Sequence, residues 1–351
     1  MRTVSQRGIA LITVLLVLSL ATVAAVSMTA RQQLDIRRTS NILLLEEAYA
    51  ALFAAEEFAK ALLLFDLSNS KPPPDLDGFG DYWNSELLKA AVQEVGNFKV
   101  TNFRIEDLQG RFNLNNLVNT AGQPSVNDHE GLQRILSEHG KLPVELADKV
   151  VDWIDTNPDD FRSGVESPEY ESLPKPWLSP DRLMVSASEM NQLMGVNLGA
   201  KEDSGGNNKK FREAIRELIL NDENKILIAL PAQTPINVNT PASPDIYRAI
   251  VPGITLDDAK ILYDATRVAT ESEAPFKNTE EFWNHPSVSK YPEIKDQNKR
   301  VSISTNSSYF LLRAEAYYED LVVYCNTVFY RSRNPVAIEV VHRSYSRDGE
   351  I

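Results

Sequence analysis

Apolar positions with helical spacing dominate the amino-terminal part of the chain. Residues 9–30 contain no ionisable side chain, and from Arg31 to Phe65 apolar residues return every three or four positions without an intervening Gly or Pro. About 20 apolar residues are enough to cross a hydrocarbon core, and an uninterrupted helix much longer than about 25 residues indicates a membrane span or a helical assembly. We therefore predict one helix of more than fifty residues that begins inside a membrane.

A second pattern, alternation of polar and apolar residues, follows the predicted helix. Three consecutive prolines within residues 68–78 end the helix. Alternation then predicts two short strands in residues 98–117, around a turn at Asp107–Gly110, and three antiparallel strands in residues 307–345. Between these strands, residues 120–300 return to helical spacing.

Strands on both sides of a helical block, behind a long amino-terminal helix, predict an α+β fold. In this fold the long helix packs on an antiparallel sheet, and a large, mostly α-helical domain is inserted into the sheet's sequence. Two separate globular domains behind a membrane anchor would give the same local pattern, so that arrangement stays open.

A faint internal repeat lies inside the helical block. The sequences FNLNN, starting at Phe112, and INVNT, starting at Ile236, each precede a predicted helical hairpin. The asparagines suit caps or turns, because their side chains bond to nearby main-chain amides. Such hairpins often bind DNA, but acidic residues follow both turns and the chain carries a net charge of −13, so we expect no nucleic-acid partner.

Charge at the amino terminus predicts the orientation of the membrane segment. Arg2 and Arg7 precede the apolar residues, and this excess of positive charge places the amino terminus in the cytoplasm and the bulk of the chain outside it. Ala24–Ser27 offers small residues of the kind found at a secretory cleavage site, although the apolar segment is long for a leader. A cleaved secretory leader and a plain signal anchor therefore remain alternatives.

The basic start, terminal Gly8 and apolar helix from Ile9 resemble the class III leader of type IV pilins and type II secretion pseudopilins. The resemblance implies cleavage between Gly8 and Ile9 by a prepilin peptidase, followed by methylation of Ile9. Most of these families carry a glutamate at the fifth mature residue, for helix packing, where this chain has Thr13. Its absence is typical of the K-type minor pseudopilins.

Further K-type landmarks occur in order along the chain, including DLQGRFNLNNL, DWID and INVNT. The resemblance implies a pilin-like fold and a subunit anchored in the bacterial inner membrane with its bulk in the periplasm. Such a subunit caps or initiates the pseudopilus with I- and J-type minor pseudopilins, and through them the H-type, to export folded proteins across the outer membrane. The implied division is 1–8 leader, 9–30 membrane part of the helix, 31–67 remainder of the helix, 68–119 first pilin-like part, 120–300 insert, and 301–351 carboxy-terminal strands.

The richest acidic stretch runs from Asp152 to Glu171, and part of it has the spacing of an EF-hand loop. The glycine that such a loop needs at its sixth position is replaced by Asp160. On spacing alone, a solvated acidic loop explains the stretch equally well. The resemblance implies calcium in the insert, and the predicted ligands are Asp152, Asp155, Asn157, Asp159, Glu166 and Glu169. A membrane-anchored calcium- or ligand-binding module without a filament role is the alternative function.

Candidate catalytic residues are few. The four histidines are scattered without the spacing of a zinc site, and we expect each to be a surface or capping residue. The single cysteine, Cys325, excludes an internal disulfide. A Ser-x-x-Lys sequence at Ser172 lies among prolines rather than at a helix start. We therefore predict that the chain is not an enzyme.

Overall fold

The computed structural model describes residues 7–69, 76–85, 94–138, 141–173, 176–193, 207–220, 225–268 and 275–346. Nine α-helices lie within these residues. They are α1 Arg7–Asn69, α2 Val126–Glu138, α3 Leu146–Ile154, α4 Ser167–Glu171, α5 Asn207–Leu220, α6 Pro244–Ile250, α7 Leu256–Val268, α8 Thr279–Asn284 and α9 Pro286–Ser289.

The same residues contain nine strands and several short 3-10 turns. The strands are β1 Glu94–Val95, β2 Phe98–Asp107, β3 Phe112–Asn113, β4 Leu227–Ile228, β5 Ile236–Asn237, β6 Ile303–Ser304, β7 Tyr309–Tyr318, β8 Leu321–Arg333 and β9 Val336–Ser346. Five of them form one sheet in the order β1-β2-β7-β8-β9, with every neighbouring pair antiparallel. The insert connects β2 to β7, which confirms the predicted α+β fold with a helical insertion.

The long helix α1 is a single element of 63 residues, as predicted from the unbroken apolar pattern. Its side chains from Ala10 to Ile42 are exposed, whereas its carboxy-terminal half buries one face against the sheet. The buried positions recur at intervals of three and four, which is the period of one helix face. They are Ala48, Ala51, Leu52, Ala55, Ala59, Leu62 and Leu63.

The inner face of the sheet supplies the other half of this core, because alternate side chains of each strand point towards α1. Phe98 and Ile105 of β2 pack with Phe310 and Leu312 of β7. One buried carboxylate interrupts the apolar packing: Glu56 of α1 is fully buried and accepts hydrogen bonds from β8 and β9. Its donors are Thr327 Oγ1 at 3.1 Å and Arg343 Nε at 2.6 Å.

The predicted turn at Asp107–Gly110 is the place where the chain leaves the sheet. It does not join two paired strands, because β3 pairs in parallel with β4 instead of with β2. A Cβ atom on Gly110 would lie 1.7 Å from the carbonyl oxygen of Thr240, so the chain passes directly against the second repeat. Phe112 belongs to the core of the insert. The core of the insert therefore includes apolar residues that directly follow the turn and pack on the hairpins.

The faint sequence repeat is also a repeat of hydrogen bonds. Asn113 Oδ1 accepts from the main-chain N–H of Asn115 at 3.2 Å, and Asn237 Oδ1 accepts from that of Asn239 at 2.9 Å. Each second asparagine then pairs with both main-chain polar groups of one distant residue. The carboxamide of Asn115 pairs with Met184, and that of Asn239 pairs with Phe276. The asparagines thus cap turns, as predicted, and also fix the loop that follows each hairpin.

The hairpins themselves, α2–α3 and α6–α7, form at the predicted positions. The expectation for the histidines is wrong at His129, which is fully buried on α2 and lies 2.6 Å from Asp148 Oδ1 on α3. Its ring also packs edge-on against Phe161. His285 does cap a helix, since its Nδ1 accepts from the N–H of Ser287 at the start of α9. His139 lies outside the described residues.

Candidate functional site

The amino-terminal half of α1 fits a membrane anchor. Within Ala10–Asn69 one window reaches a mean hydropathy of 2.5, and none of that window is buried inside the protein. Gly8 and Ile9, the predicted cleavage pair, lie in the first turn of α1, and residues 1–6 of the predicted leader lie outside the described residues. The helix is therefore continuous across the predicted cleavage position.

Thr13 has its hydrogen-bonding needs met inside its own helix. Its hydroxyl donates to the carbonyl oxygen of Ala10 at 2.9 Å. Ser19 and Thr22 bond in the same way, to the carbonyls of Leu16 and Leu18. A satisfied hydroxyl carries no charge into the bilayer, whereas a glutamate at this position would need a partner.

The acidic loop begins where α3 ends. Asp155 ends the helix with an extended main chain (φ −79°, ψ 177°), directly after the apolar turn that contains Trp153 and Ile154. The loop then folds back over α3, where the N–H of Phe161 donates to Asp152 Oδ1 at 2.9 Å. Carboxylates of the loop are thereby brought to the carboxy-terminal end of α3.

Three of the predicted ligands are buried in this loop. The exposed fractions are 0% for Asp152, 1% for Asp155 and 5% for Glu166. Each has one buried oxygen without a hydrogen-bond partner among the described residues: Asp152 Oδ2, Asp155 Oδ1 and Glu166 Oε1. A buried carboxylate oxygen without a hydrogen-bond donor is costly for the folded state.

The protonation behaviour of these carboxylates follows from the same geometry. Burial, reinforced by repulsion from Asp155 and Asp160, raises the pKa of Asp152 to about 7. Burial and the charge of Asp181 raise the pKa of Asp155 to about 6. Burial and repulsion from Asp152 and Asp155 raise the pKa of Glu166 to about 7. The three carboxylates therefore still hold protons in part near neutral pH.

The loop main chain passes very close to one of these carboxylates. A Cβ atom added to Gly164 would lie 1.8 Å from Asp152 Oδ2, so only glycine allows the loop this close to the carboxylate. Asp160 and Asp181, both exposed, add negative charge at the edge of the group. We did not predict Asp181 because its separation from Glu166 matches no metal motif. Its left-handed main chain (φ +46°) is visible only in the structure.

The other predicted ligands lie outside the buried group. Asn157 is exposed, but its Nδ2 lies 2.5 Å from Asp155 Oδ2 and its Oδ1 accepts from the N–H of Asp159 at 3.0 Å. The side chains of Asp159 and Glu169 are exposed. The buried set thus combines the first and last positions of the EF-hand spacing with a helix residue, Asp152, that the spacing does not include.

A second acidic cluster lies at the carboxy-terminal end of α1. Asp66, Asp77 and Asp81 are the three carboxylates, among the described residues, whose ligand oxygens all approach within 4.8 Å of one another. Arg331 is fully buried between them, bonds to Asp77 and lies 3.0 Å from Asp66 Oδ2. Arg333 lies 2.7 Å from Asp77 Oδ2. Two arginines therefore occupy the place that a metal ion would need.

Comparison with known proteins gives one family and one fold. The model of the family described as "Type II secretion system (T2SS), protein K" matches residues 110–200. A type II secretion system protein K from Pseudomonas aeruginosa is 28% identical over 318 residues, which cover 88% of this chain and 84% of that protein. The protein K of Aeromonas hydrophila is 32% identical over 55% of this chain and 60% of its own length.

A solved structure has the same fold. The matching chain is in the GspK-GspI-GspJ complex of the enterotoxigenic Escherichia coli type 2 secretion system, with a TM-score of 0.66 and 20% identity. The match covers 88% of this chain and 99% of that one, so it includes both the helix–sheet body and the insert. The family match, the relatives and the shared fold agree with the leader and landmark residues of the sequence, and the chain is similar to type II secretion system protein K along most of its length.

Proposed function

We propose that the chain caps or initiates a pseudopilus together with other minor pseudopilins and so takes part in the export of folded proteins across the outer membrane. The observation that supports this most is the combination of two parts in one chain. An exposed apolar helix is suited to side-by-side packing in a membrane, and a bulky insert is carried on the sheet at the helix's other end. A repeating filament of closely packed helices has no room for such an insert in every subunit, so a terminal position suits it.

The proposed partners are the I- and J-type minor pseudopilins and, through them, the H-type. A protein with the same fold is assembled with GspI and GspJ. For this chain we infer the same arrangement, with α1 in the inner membrane and the sheet and insert in the periplasm. As a structural subunit the chain would act without catalysis and without nucleic acid.

We further propose that calcium binds the acidic loop. The residues that would hold it are Asp152, Asp155 and Glu166, with Asp160 and Asp181 at the edge of the site. The ion would neutralise buried carboxylates and tie the loop to the end of α3, which is a structural role. Asn157, Asp159 and Glu169 remain predicted ligands from the exposed side.

The alternative, a calcium- or ligand-binding module without a filament role, would use the same loop. It gives no reason for a glycine directly before an uncharged helix, or for the match to protein K relatives along most of the chain. The similarity to protein K relatives therefore favours the pseudopilin.

Processing of the amino terminus tests the pilus assignment. The full chain is expressed with and without a prepilin peptidase, and the mass of the amino-terminal peptide is measured. We expect a methylated terminus at Ile9 only when the peptidase is present. A Met1 terminus under both conditions, or a terminus beyond Ala25, would reject the assignment.

Assembly tests the partners separately. The full chain, extracted in detergent, is purified with I- and J-type minor pseudopilins from the same host. We expect wild type to form a ternary complex. We expect the same of an Asp155→Asn/Glu166→Gln variant whose insert has remained folded. If neither partner associates with the processed chain, the tip position is wrong.

A further inference from the structure

The acidic loop meets the first hairpin where the loop comes back to α3. Residues 156–160 are exposed, so this part of the loop has little packing of its own to fix its path. Residues 161–164, which we call the loop return, then bring the chain back over α3 before Glu166. The position of the buried carboxylates therefore depends on the contacts that hold the loop return.

Two carboxylates of α3 hold the loop return. Asp148 and Asp152 are four residues apart, and residues with this spacing lie on the same face of a helix. The N–H of Phe161 donates to Asp152 Oδ1 at 2.9 Å. The N–H of Ser163 donates to Asp148 Oδ2 at 3.3 Å. The loop return is therefore bonded to two successive turns of α3.

The two carboxylates differ in what else they contact. Asp152 is a proposed calcium ligand, and its Oδ2 has no hydrogen-bond partner among the described residues. Asp148 is also buried, but its Oδ1 lies 2.6 Å from His129 Nε2 on α2. An ionised carboxylate only accepts hydrogen bonds, so His129 Nε2 is the donor. Asp148 thus connects α2 to the loop return.

His129 also contacts the loop return directly. Its ring is fully buried and packs edge-on against the ring of Phe161, with 5.2 Å between the ring centres. The carbonyl oxygen of Phe161 accepts from the N–H of Gly164 at 2.9 Å. Gly164 is the residue on which a Cβ atom would lie 1.8 Å from Asp152 Oδ2. A series of contacts therefore runs from α2, which supplies no predicted ligand, to the buried carboxylates.

The hydrogen bond to Asp148 is the stronger of the two contacts that His129 makes. Its length of 2.6 Å is short, as is typical of a hydrogen bond to a charged group. The bond from Ser163 to the same carboxylate is long, at 3.3 Å, and therefore weak. A buried carboxylate that loses a donor bears a desolvation cost. Without His129 as donor, we expect Asp148 to turn away and to release Ser163.

We propose that His129 is a positioning residue of the calcium site. It is not a ligand, and it acts through Asp148 by keeping that carboxylate directed at the loop return. The loop return in turn sets the approach of Gly164 to Asp152. This inference rests on the calcium site proposed above. Groups that orient the ligands of a metal ion change the metal affinity by about 10- to 100-fold when they are replaced.

Three variants of the full chain in detergent separate the contacts of His129. His129→Phe keeps an aromatic ring against Phe161 but cannot donate to Asp148. His129→Gln loses the ring but keeps a side-chain N–H donor. Tyr247→Phe is the matched control, because Tyr247 is fully buried in the second hairpin and its hydroxyl donates to the carbonyl oxygen of Val238 at 2.7 Å.

Calorimetric titration with calcium measures the affinity of each variant, and thermal unfolding in EDTA measures its stability without the ion. We expect His129→Phe to bind calcium at least about tenfold more weakly than wild type. His129→Gln should recover most of this loss, because it restores the donor. Tyr247→Phe should be less stable than wild type, because it removes a buried hydrogen bond, but should bind calcium with unchanged affinity.

Hydrogen exchange tests the loop return in the absence of calcium. The N–H of Ser163 is followed by mass spectrometry of the full chain in EDTA, in a peptide that covers residues 156–165. We expect the N–H groups of the loop return to exchange at least about tenfold faster in His129→Phe than in wild type. His129→Gln and Tyr247→Phe should exchange at the wild-type rate.

The outcomes separate the role of His129 from the calcium site itself. If wild type and His129→Phe bind calcium with equal affinity, His129 does not position the site. Equal losses of affinity in His129→Phe and Tyr247→Phe would show general destabilisation of the insert and would also reject the proposal. If wild type binds no calcium, the calcium site itself is wrong, and the role of His129 is wrong with it.

Discussion

The two buried acidic clusters each contain three carboxylates, but only one of them has arginines that compensate its negative charge. Asp66, Asp77 and Asp81 lie closer together, yet Arg331 and Arg333 are inserted among them. Asp152, Asp155 and Glu166 are as deeply buried, and their unpartnered oxygens have no cation beside them in the described residues. Proximity of carboxylates alone therefore does not identify a metal site, and our calcium proposal rests on the unpaired buried oxygens of the second cluster.

The two clusters also differ in which structural elements they connect. Arg331 connects the end of α1 to β8, and the tie links residues 265 positions apart in sequence. The insert cluster connects α3 to the loop that directly follows it. We infer that the first cluster stabilises the body permanently, whereas the second stabilises the insert only when an ion is bound.

The largest expected effect comes from removing the arginine of the first cluster. Arg331→Met leaves Asp66 and Asp77 buried without their cation, and we expect a loss of about 3–5 kcal/mol in the free energy of unfolding. Urea unfolding of the full chain in detergent measures it. Adding Asp66→Asn and Asp77→Asn to Arg331→Met should recover most of the loss. If the single variant is as stable as wild type, the arginine does not compensate the cluster.

Calcium should have the next largest effect, and only on the second cluster. We expect a calcium dissociation constant near that of extracellular modules. A calcium concentration a hundredfold above this constant stabilises the folded state by about 2.7 kcal/mol. Thermal unfolding in calcium and in EDTA measures the change. We expect it to disappear in Asp155→Asn/Glu166→Gln and to persist in Asp66→Asn. A shift that survives the first variant would place the ion elsewhere.

A smaller effect tests the space around the second cluster. Gly164→Ala places a methyl group against Asp152 Oδ2, and we expect calcium affinity to fall at least about tenfold, or 1.4 kcal/mol. Calorimetric titration measures the affinity. Gly131→Ala, whose added methyl group would lie 3.1 Å from the carbonyl oxygen of Ala249, is the control for crowding inside the insert and should leave calcium affinity unchanged. Equal affinities of wild type and Gly164→Ala would contradict the tight approach.

The smallest expected effect is a pH dependence of the calcium response. The folded-state pKa values of Asp152, Asp155 and Glu166 lie above those of unfolded carboxylates, so without calcium the folded chain binds more protons than the unfolded chain. The extra bound protons stabilise the folded chain at low pH, and this stabilisation is lost as pH rises through about 6 to 7. Protons and calcium compete, so the stabilisation by calcium should shrink as pH falls from 8 to 5.5. A calcium response that grows in acid would contradict the account.

The sequence was sufficient for the fold because its main signals are local. The unbroken apolar pattern predicted α1, alternation predicted the carboxy-terminal strands, and the paired Asn motifs predicted the two hairpins. The alternating pattern around Phe112 did not show that its side chain packs with the helices of the insert.

The sites were only partly predictable, because their geometry depends on distant contacts. Local spacing predicted Asp155 and Glu166 as ligands, which stays a prediction, but the burial of Asp152 beside Gly164 and the approach of Asp181 arise from how the loop folds back. The pairing of Asp66 with Arg331 and the burial of His129 against Asp148 are likewise tertiary contacts. An acidic pattern in the sequence does not tell whether an arginine or an ion will compensate it.

Calorimetric titration of the full chain with calcium, in detergent at pH 7.5 after removal of divalent ions, tests the contrast between the two clusters most directly. We predict saturable binding to wild type and to Asp66→Asn, and none to Asp155→Asn/Glu166→Gln that has kept its fold. No binding to wild type, or unchanged binding to the double variant, would contradict it.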